Sequence, residues 1–299
     1  MDDPHNSPQV PGTDLQRPSA EAASSAPLPR IYCVTDPDAR VAAVLERRPR
    51  KWWRVGRWDL ATGRYDGGAW FRGTLYPQCC DLSPGGRWLS YFALKTDSAW
   101  PAGATYNAVS RLPWLKALAA WRESGTWSRG HHFVADTSVW EIGPPTVGDA
   151  AVCGTLCGMG LTAPAQFATE RRRGWREAAA TQEREPDDVW DERREVVMEK
   201  VAPTSRHVVL SVRGKFEAFR TSPDLWSPHP APYALTRSGR VKTLAGVQWA
   251  DWTCEGHLAT ATGRALRILD TQRGRVVSES RLTDEEPRPG PAPAWANEW

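Results

Sequence analysis

Few side chains in this chain of 299 residues stand where they could do chemistry, and each candidate has a plainer reading beside it. His131-His132 offers imidazoles for a metal ligand or a general base. Adjacent residues of a strand point to opposite faces, so at most one of the two serves a given site. No carboxylate or cysteine pair accompanies them at ligand spacing. Cys79, Cys80, Cys153 and Cys157 supply four thiols without the Cys-x-x-Cys knuckle of a zinc site, so buried free thiols are expected. Gly154, Gly158 and Gly160 follow the order Gly-x-x-x-Gly-x-Gly, which fits neither a dinucleotide fingerprint nor a phosphate loop, and no Lys follows. A Gly-x-Ser-x-Gly elbow is absent. The sequence assigns no catalytic residue, no metal and no cofactor, and it leans away from an enzyme.

The run Arg47-Arg48-Pro49-Arg50-Lys51-Trp52-Trp53-Arg54 is the best surface candidate. Guanidinium forks and indole faces suit a phosphate backbone, stacked bases or an acidic peptide. The plainer alternative is a solvated turn feeding a strand whose tryptophans alternate between core and surface. Arg171 to Arg176 is discounted, because Glu170, Glu177, Glu183 and Glu185 surround it. The candidate binding residues are therefore Arg50, Trp52, Trp53, Arg54, His131 and His132.

Composition narrows the partners. A net charge of +3 is too small to predict a nucleic-acid or acidic-membrane partner, so a protein or peptide is expected and nucleic acid is not. Only six of the 38 basic residues are lysine, which suggests a GC-rich, bacterial source. Seventeen tryptophans fit many small faces that each need a large flat side chain. No apolar run approaches the roughly 18 residues of a membrane span, and the N-terminus lacks a charged-then-apolar leader. A soluble, cytoplasmic protein is expected.

The elements that must position these residues are organised around Cys80-Asp81-Leu82-Ser83-Pro84-Gly85-Gly86-Arg87-Trp88-Leu89-Ser90-Tyr91. Pro84 presets one turn corner and the glycines accept φ > 0, so two strands flank a tight turn. The pattern returns at Ala250-Asp251-Trp252-Thr253-Cys254-Glu255-Gly256-His257, 170 positions on when Asp251 is set on Asp81. A propeller blade takes roughly 40 to 50 residues, so the two copies are expected about four blades apart. A further hairpin is read from Lys51–Leu60 and Tyr65–Phe71. Its Trp58-Asp59-Leu60-Ala61-Thr62-Gly63-Arg64 resembles the strand end and turn of WD-repeat and Tol-type propeller blades. Arg267-Ile268-Leu269-Asp270-Thr271-Gln272-Arg273-Gly274 resembles them too. The resemblance covers about half the chain in short motifs and lacks the Gly-His half of the WD-repeat signature.

An all-β, propeller-like domain over residues 30–284 is expected, with about five small antiparallel blades. Residues 1–29 and the Pro-rich tail 285–299 are expected to be disordered. A charged helical insertion is expected at about 165–200, on the propeller edge, and a short rim helix over Ser110–Trp121. Hairpins are read around Arg213-Gly214 and around Arg237–Arg240. Two functions follow: a noncatalytic module binding a protein or peptide with a Trp- and Arg-rich face, or a propeller enzyme, hydrolase or lyase, with a site at the channel mouth.

Overall fold

The computed structural model describes residues 28–96, 99–126, 128, 130–133, 139–140, 142–149, 157–159, 167–179, 195–215 and 233–298. β-branched and aromatic runs separated by tight turns give a first antiparallel sheet of β1 (Arg30–Thr35), β2 (Val41–Arg48), β3 (Trp52–Asp59) and β4 (Tyr65–Arg72), paired in chain order. The second sheet holds β5 (Thr74–Leu75), β6 (Asp81–Leu82), β7 (Trp88–Leu94), β8 (Thr105–Arg111) and β9 (Ala117–Arg122). β10 (His131–His132) and β11 (Val139–Trp140) belong to a third sheet, while β12 (Val147–Gly148) returns to pair with β9. β13 (Cys157–Met159) lies between β10 and β11.

A short helix, α1 (Ala168–Arg172), precedes the fourth sheet of β14 (Arg176–Glu177), β15 (Glu195–Ala202), β16 (Ser205–Lys215), β17 (Tyr233–Arg237) and β18 (Arg240–Thr243). The fifth sheet is β19 (Trp249–Trp252), β20 (Leu258–Ala261), β21 (Ala265–Asp270) and β22 (Arg275–Arg281). The chain is thus all-β and propeller-like, built of small antiparallel sheets whose strands largely meander in order. Among the described residues no helix is long and apolar enough to cross a membrane.

Buried side chains fix the order of the sheets. Leu45, Trp53 and Val55 of the first sheet pack on Leu82, Leu89 and Tyr91 of the second. Val109 and Trp121 of the second meet Phe133 beyond β10. Met198 and Leu210 of the fourth pack on Trp252 and Leu258 of the fifth. Ala42, Val44 and Trp58 of the first sheet meet Trp249, Leu266 and Ile268 of the fifth. The last sheet therefore packs on the first, as a propeller-like order requires.

The repeated turn is built the same way in both copies. Ser83 Oγ accepts from Trp88 N at 3.0 Å, and Thr253 Oγ1 accepts from His257 N at 3.1 Å. Gly86 and Gly256 close the turns at φ 68° and 77°, and their amides donate to Ser83 O and Thr253 O, each at 2.9 Å. A third copy lies between β1 and β2. There Asp36 Oδ1 accepts from Val41 N at 2.9 Å, and Ala39 takes the glycine's place at φ 53°. Asp81 and Asp251 lie three sheets apart rather than four, because the stretches around the third and fourth sheets lengthen the interval between them.

Other expectations need correction. Leu118 to Trp121 are all buried and form strand β9 between β8 and β12, where a rim helix was expected. A continuous buried strand and a short helix share an apolar run that periodicity does not separate. Arg213 and Gly214 lie within β16, opposite Val197 and Val196, and the hairpin turn falls at Pro203-Thr204. The hairpin around Arg237–Arg240 is present as β17 and β18.

The expected insertion contains α1, but residues 195–200 belong to β15. Its described residues 167–179 are also not peripheral. Thr169 N donates to Gln78 Oε1 at 2.9 Å, Arg172 to Cys80 O at 3.0 Å and Arg173 to Thr35 O at 2.7 Å. Its short apolar flank, Phe167 and Trp175, enters the core of the fourth and fifth sheets. Among its described residues the C-terminal tail carries no strand, yet it is held on the body: Glu285 pairs with Arg54, Trp295 lies against Arg111, and Ala296 is fully buried. These contacts replace the expected disorder of 285–298. The expected N-terminal disorder lies outside the described residues up to position 27.

Candidate functional site

The β2–β3 turn passes through Arg50 and Lys51, both at positive φ and both exposed. Past it, alternation sorts the run by face. Trp53 turns inward: it is 3% exposed, packs between the first and second sheets, and donates its indole N–H to Gly73 O at 3.2 Å. Its burial withdraws it from any binding surface. Trp52 and Arg54 point to the opposite face, where register places them in two cross-strand rows. One row is Arg48, Trp52 and Arg72; the other is Glu46, Arg54 and Trp70. Further along the same face, Val44 and Trp58 meet the fifth sheet.

Cations and indoles interleave along these rows. The guanidinium carbons of Arg48 and Arg54 each lie 5.4 Å from the Trp70 ring centre, and Arg72 lies 5.9 Å from that of Trp52. Glu46 is fully buried. It accepts from Tyr65 O–H at 2.5 Å and from Arg48 at 2.9 Å, so its charge is used inside the ladder. Burial first, and then the Glu46 carboxylate, raises the Tyr65 phenol far above its ordinary pKa, keeping it a proton donor. Gly67 makes room for Arg54: a Cβ there would stand 2.3 Å from Arg54 Nη2.

The tail of this chain lies on the ladder. Arg54 Nη2 is 3.1 Å from Glu285 Oε2, and Arg54 Nη1 donates to Thr283 Oγ1 at 2.9 Å. Arg48 Nη2 donates to Thr283 O at 2.6 Å. The surface is thus geometrically able to hold a carboxylate, a hydroxyl and a main-chain carbonyl together. Of the residues expected from sequence, Arg50, Trp52 and Arg54 fall on or beside it. Arg48, Trp70, Arg72 and Glu285 complete it. The alternation that pairs Trp52 with Arg54 is visible in the sequence; the register that brings Trp70 opposite Arg54 is not.

His131 and His132 lie elsewhere, and both are buried. His131 sits edge-on to Trp121 at 4.9 Å between ring centres, with Nε2 3.8 Å from Glu123 Oε1. Burial pulls its pKa down to about 4, so it is neutral at pH 7. Burial raises the Glu123 carboxyl, against the opposing hydrogen bonds of Asn107 and Ser128. His132 is an electrostatic neighbour of Asp81, which accepts from Phe133 N at 2.8 Å and pairs with Arg173 at 2.5 Å. Among the described residues no three His, Cys, Asp or Glu side chains gather as a metal site. Of the cysteine and glycine candidates, Cys153, Gly154 and Gly160 lie outside the described residues. A cleft of about 640 Å³ lies between Leu28, Val247 and Arg264, and among the described residues Arg264 is its one charged lining residue.

No family model matches the chain, and no curated protein does. Among solved structures, the chain is similar to TolB from Acinetobacter baumannii at 17% identity, with 83% of this chain and 53% of that one covered and a TM-score of 0.29. It is also similar to the WD40 domain of SCAP from fission yeast at 11% identity, covering 86% and 56%, with a TM-score of 0.26. The chain spans about half the length of these structures. At that overlap the propeller-like architecture rests on the five sheets themselves and their packing order.

Proposed function

We propose that the chain is a noncatalytic binding module that takes an acidic protein or peptide segment across the Arg48–Trp52–Arg72 and Arg54–Trp70 rows. One observation carries this reading: Arg54 already holds a carboxylate, that of Glu285, at 3.1 Å. The stacking of both guanidiniums on Trp70 supports it, because pre-ordered forks lose less entropy when an anion arrives. Exposed Arg50, Lys51 and Arg72 add positive charge at the rim, where steering outweighs affinity. The buried free thiols of Cys33 and Cys80 suit a cytoplasmic setting.

Fluorescence anisotropy with labelled hexaglutamate, against hexaglutamine, tests the reading. Saturable binding of the acidic peptide alone is expected, weakened about tenfold, or 1.4 kcal/mol, by Arg54→Gln. Equal binding of the two peptides would overturn it. A second reading, a hydrolase or lyase at the channel mouth, draws on the approach of Glu123 to His131. It predicts a turnover that Glu123→Gln abolishes while leaving hexaglutamate binding untouched.

A further inference from the structure

Three features of the tail's seat go beyond a general affinity for acid. The contacts are specific to position: Arg48 takes the carbonyl of residue 283, Arg54 Nη1 its hydroxyl and Arg54 Nη2 the carboxylate two residues on. The segment is pre-shaped, since Thr283 Oγ1 also donates to Glu285 Oε1 at 2.9 Å. It is anchored at both ends, by buried Leu282 and by Trp295, whose ring lies 5.0 Å from the Arg111 guanidinium and whose carbonyl accepts from Arg111 at 2.7 Å. Between these anchors the seat is shallow: the Glu285 side chain is 52% exposed. A tether that is firm at its ends and shallow at its charged middle is one a competitor can displace.

We infer that Thr283-Asp284-Glu285 is a built-in ligand of the ladder, and that the partner presents the same pattern, a hydroxyl residue followed two positions later by a glutamate. This rests on the acidic-segment reading above and specifies it. The partner is a protein segment of this chemistry. The chain's own tail is its competitor, held near the site at the high effective concentration of a tethered ligand. Binding is therefore suppressed until the partner or a weakened tether shifts the balance.

The test uses the full chain and the double variant Glu285→Ala/Trp295→Ala, which retains the whole tail but removes its charged grip and its far anchor. The probe is a labelled peptide of residues 281–288, with versions carrying Thr283→Val or Glu285→Gln, and labelled hexaglutamate beside them. The inference expects the peptide to bind the double variant about tenfold more tightly than the wild type. Each altered peptide should lose about fivefold or more on the double variant. Equal affinity for both proteins, or indifference to Thr283 and Glu285, overturns the inference. If hexaglutamate still binds in that case, the acidic-segment reading stands; if no peptide binds either protein, both fall. A circular-dichroism melt of the double variant matching the wild type excludes misfolding as the cause.

Discussion

The guanidinium of Arg54, in the third strand, grips the carboxylate of Glu285, beyond the last strand, at 3.1 Å, and does so while lying over Trp70. The pair joins two ends of the chain across the junction where the fifth sheet packs on the first. Because Glu285 is half exposed, the pair contributes little to stability, below about 1 kcal/mol for a solvated ion pair. Glu285→Ala should leave the midpoint of chemical denaturation almost unmoved, as urea unfolding followed by tryptophan fluorescence will measure. A large loss would mean that the tail is a structural clasp.

Gly67 separates the geometry of the ladder from its charge. A methyl at this position runs into the Arg54 guanidinium, the far end of a flexible side chain, so the side chain moves and the backbone does not. Gly67→Ala should fold normally and weaken hexaglutamate binding by about threefold to tenfold. Anisotropy on the variant measures this, and unchanged binding would show that the placement of Arg54 is unimportant.

The two adjacent tryptophans should behave oppositely. Trp53 is buried between sheets, and Trp53→Ala is expected to cost about 3–5 kcal/mol of stability. Trp52→Ala, on the half-exposed row beside Arg72, should cost little stability and should reduce peptide binding. Denaturant melts and anisotropy on the two variants distinguish these roles.

That opposition also marks how much the sequence discloses. The turn at Ser83–Gly86 and its echo at Thr253–Gly256 are legible because turn chemistry is local. The third copy escapes, because Asp36 does the work of Ser83 with a carboxylate and Ala39 occupies the glycine's conformation. Trp52, Trp53 and Arg54 read as one surface motif, although strand alternation divides them between a face and a core. Glu285 cannot be found from a local pattern, since only the packing of the fifth sheet on the first brings it to Arg54. The arginine-rich stretch at 171–176 reads as a solvated run, yet Arg173 is spent on Asp81, Thr35 O and Leu82 O inside the body.

That buried pair gives a stability prediction. Burial alone would raise the Asp81 carboxyl, but Arg173 and then Arg172 outweigh it and hold the group below the usual carboxylate range. Asp81→Ala would leave Arg173 buried without its counter-ion, and a loss of about 3–5 kcal/mol is expected in urea unfolding. The contribution of Asp81 is present above the unfolded-state pKa and is lost as pH falls through the lower folded value.

His131 adds a separate window at higher pH. Its folded pKa is about 4 against about 6.5 unfolded, so between these values the unfolded chain binds the extra proton. Stability should fall as pH drops from about 6.5 to about 4, by up to roughly 3 kcal/mol. His131→Phe should flatten that slope, as denaturant unfolding across the pH series will measure, and an unchanged slope would place the dependence elsewhere.

The most direct measurement asks where an acidic peptide lands. Zero-length carbodiimide coupling joins carboxylates to amines in contact, and Lys51, exposed beside Arg50 at the end of the ladder, is one of only six lysines in the chain. Hexaglutamate coupled to the native protein and mapped by mass spectrometry should be found chiefly on Lys51. Adducts spread evenly over Lys95, Lys116 and Lys242, or concentrated on any of them, would contradict the assignment of the ladder as the binding site.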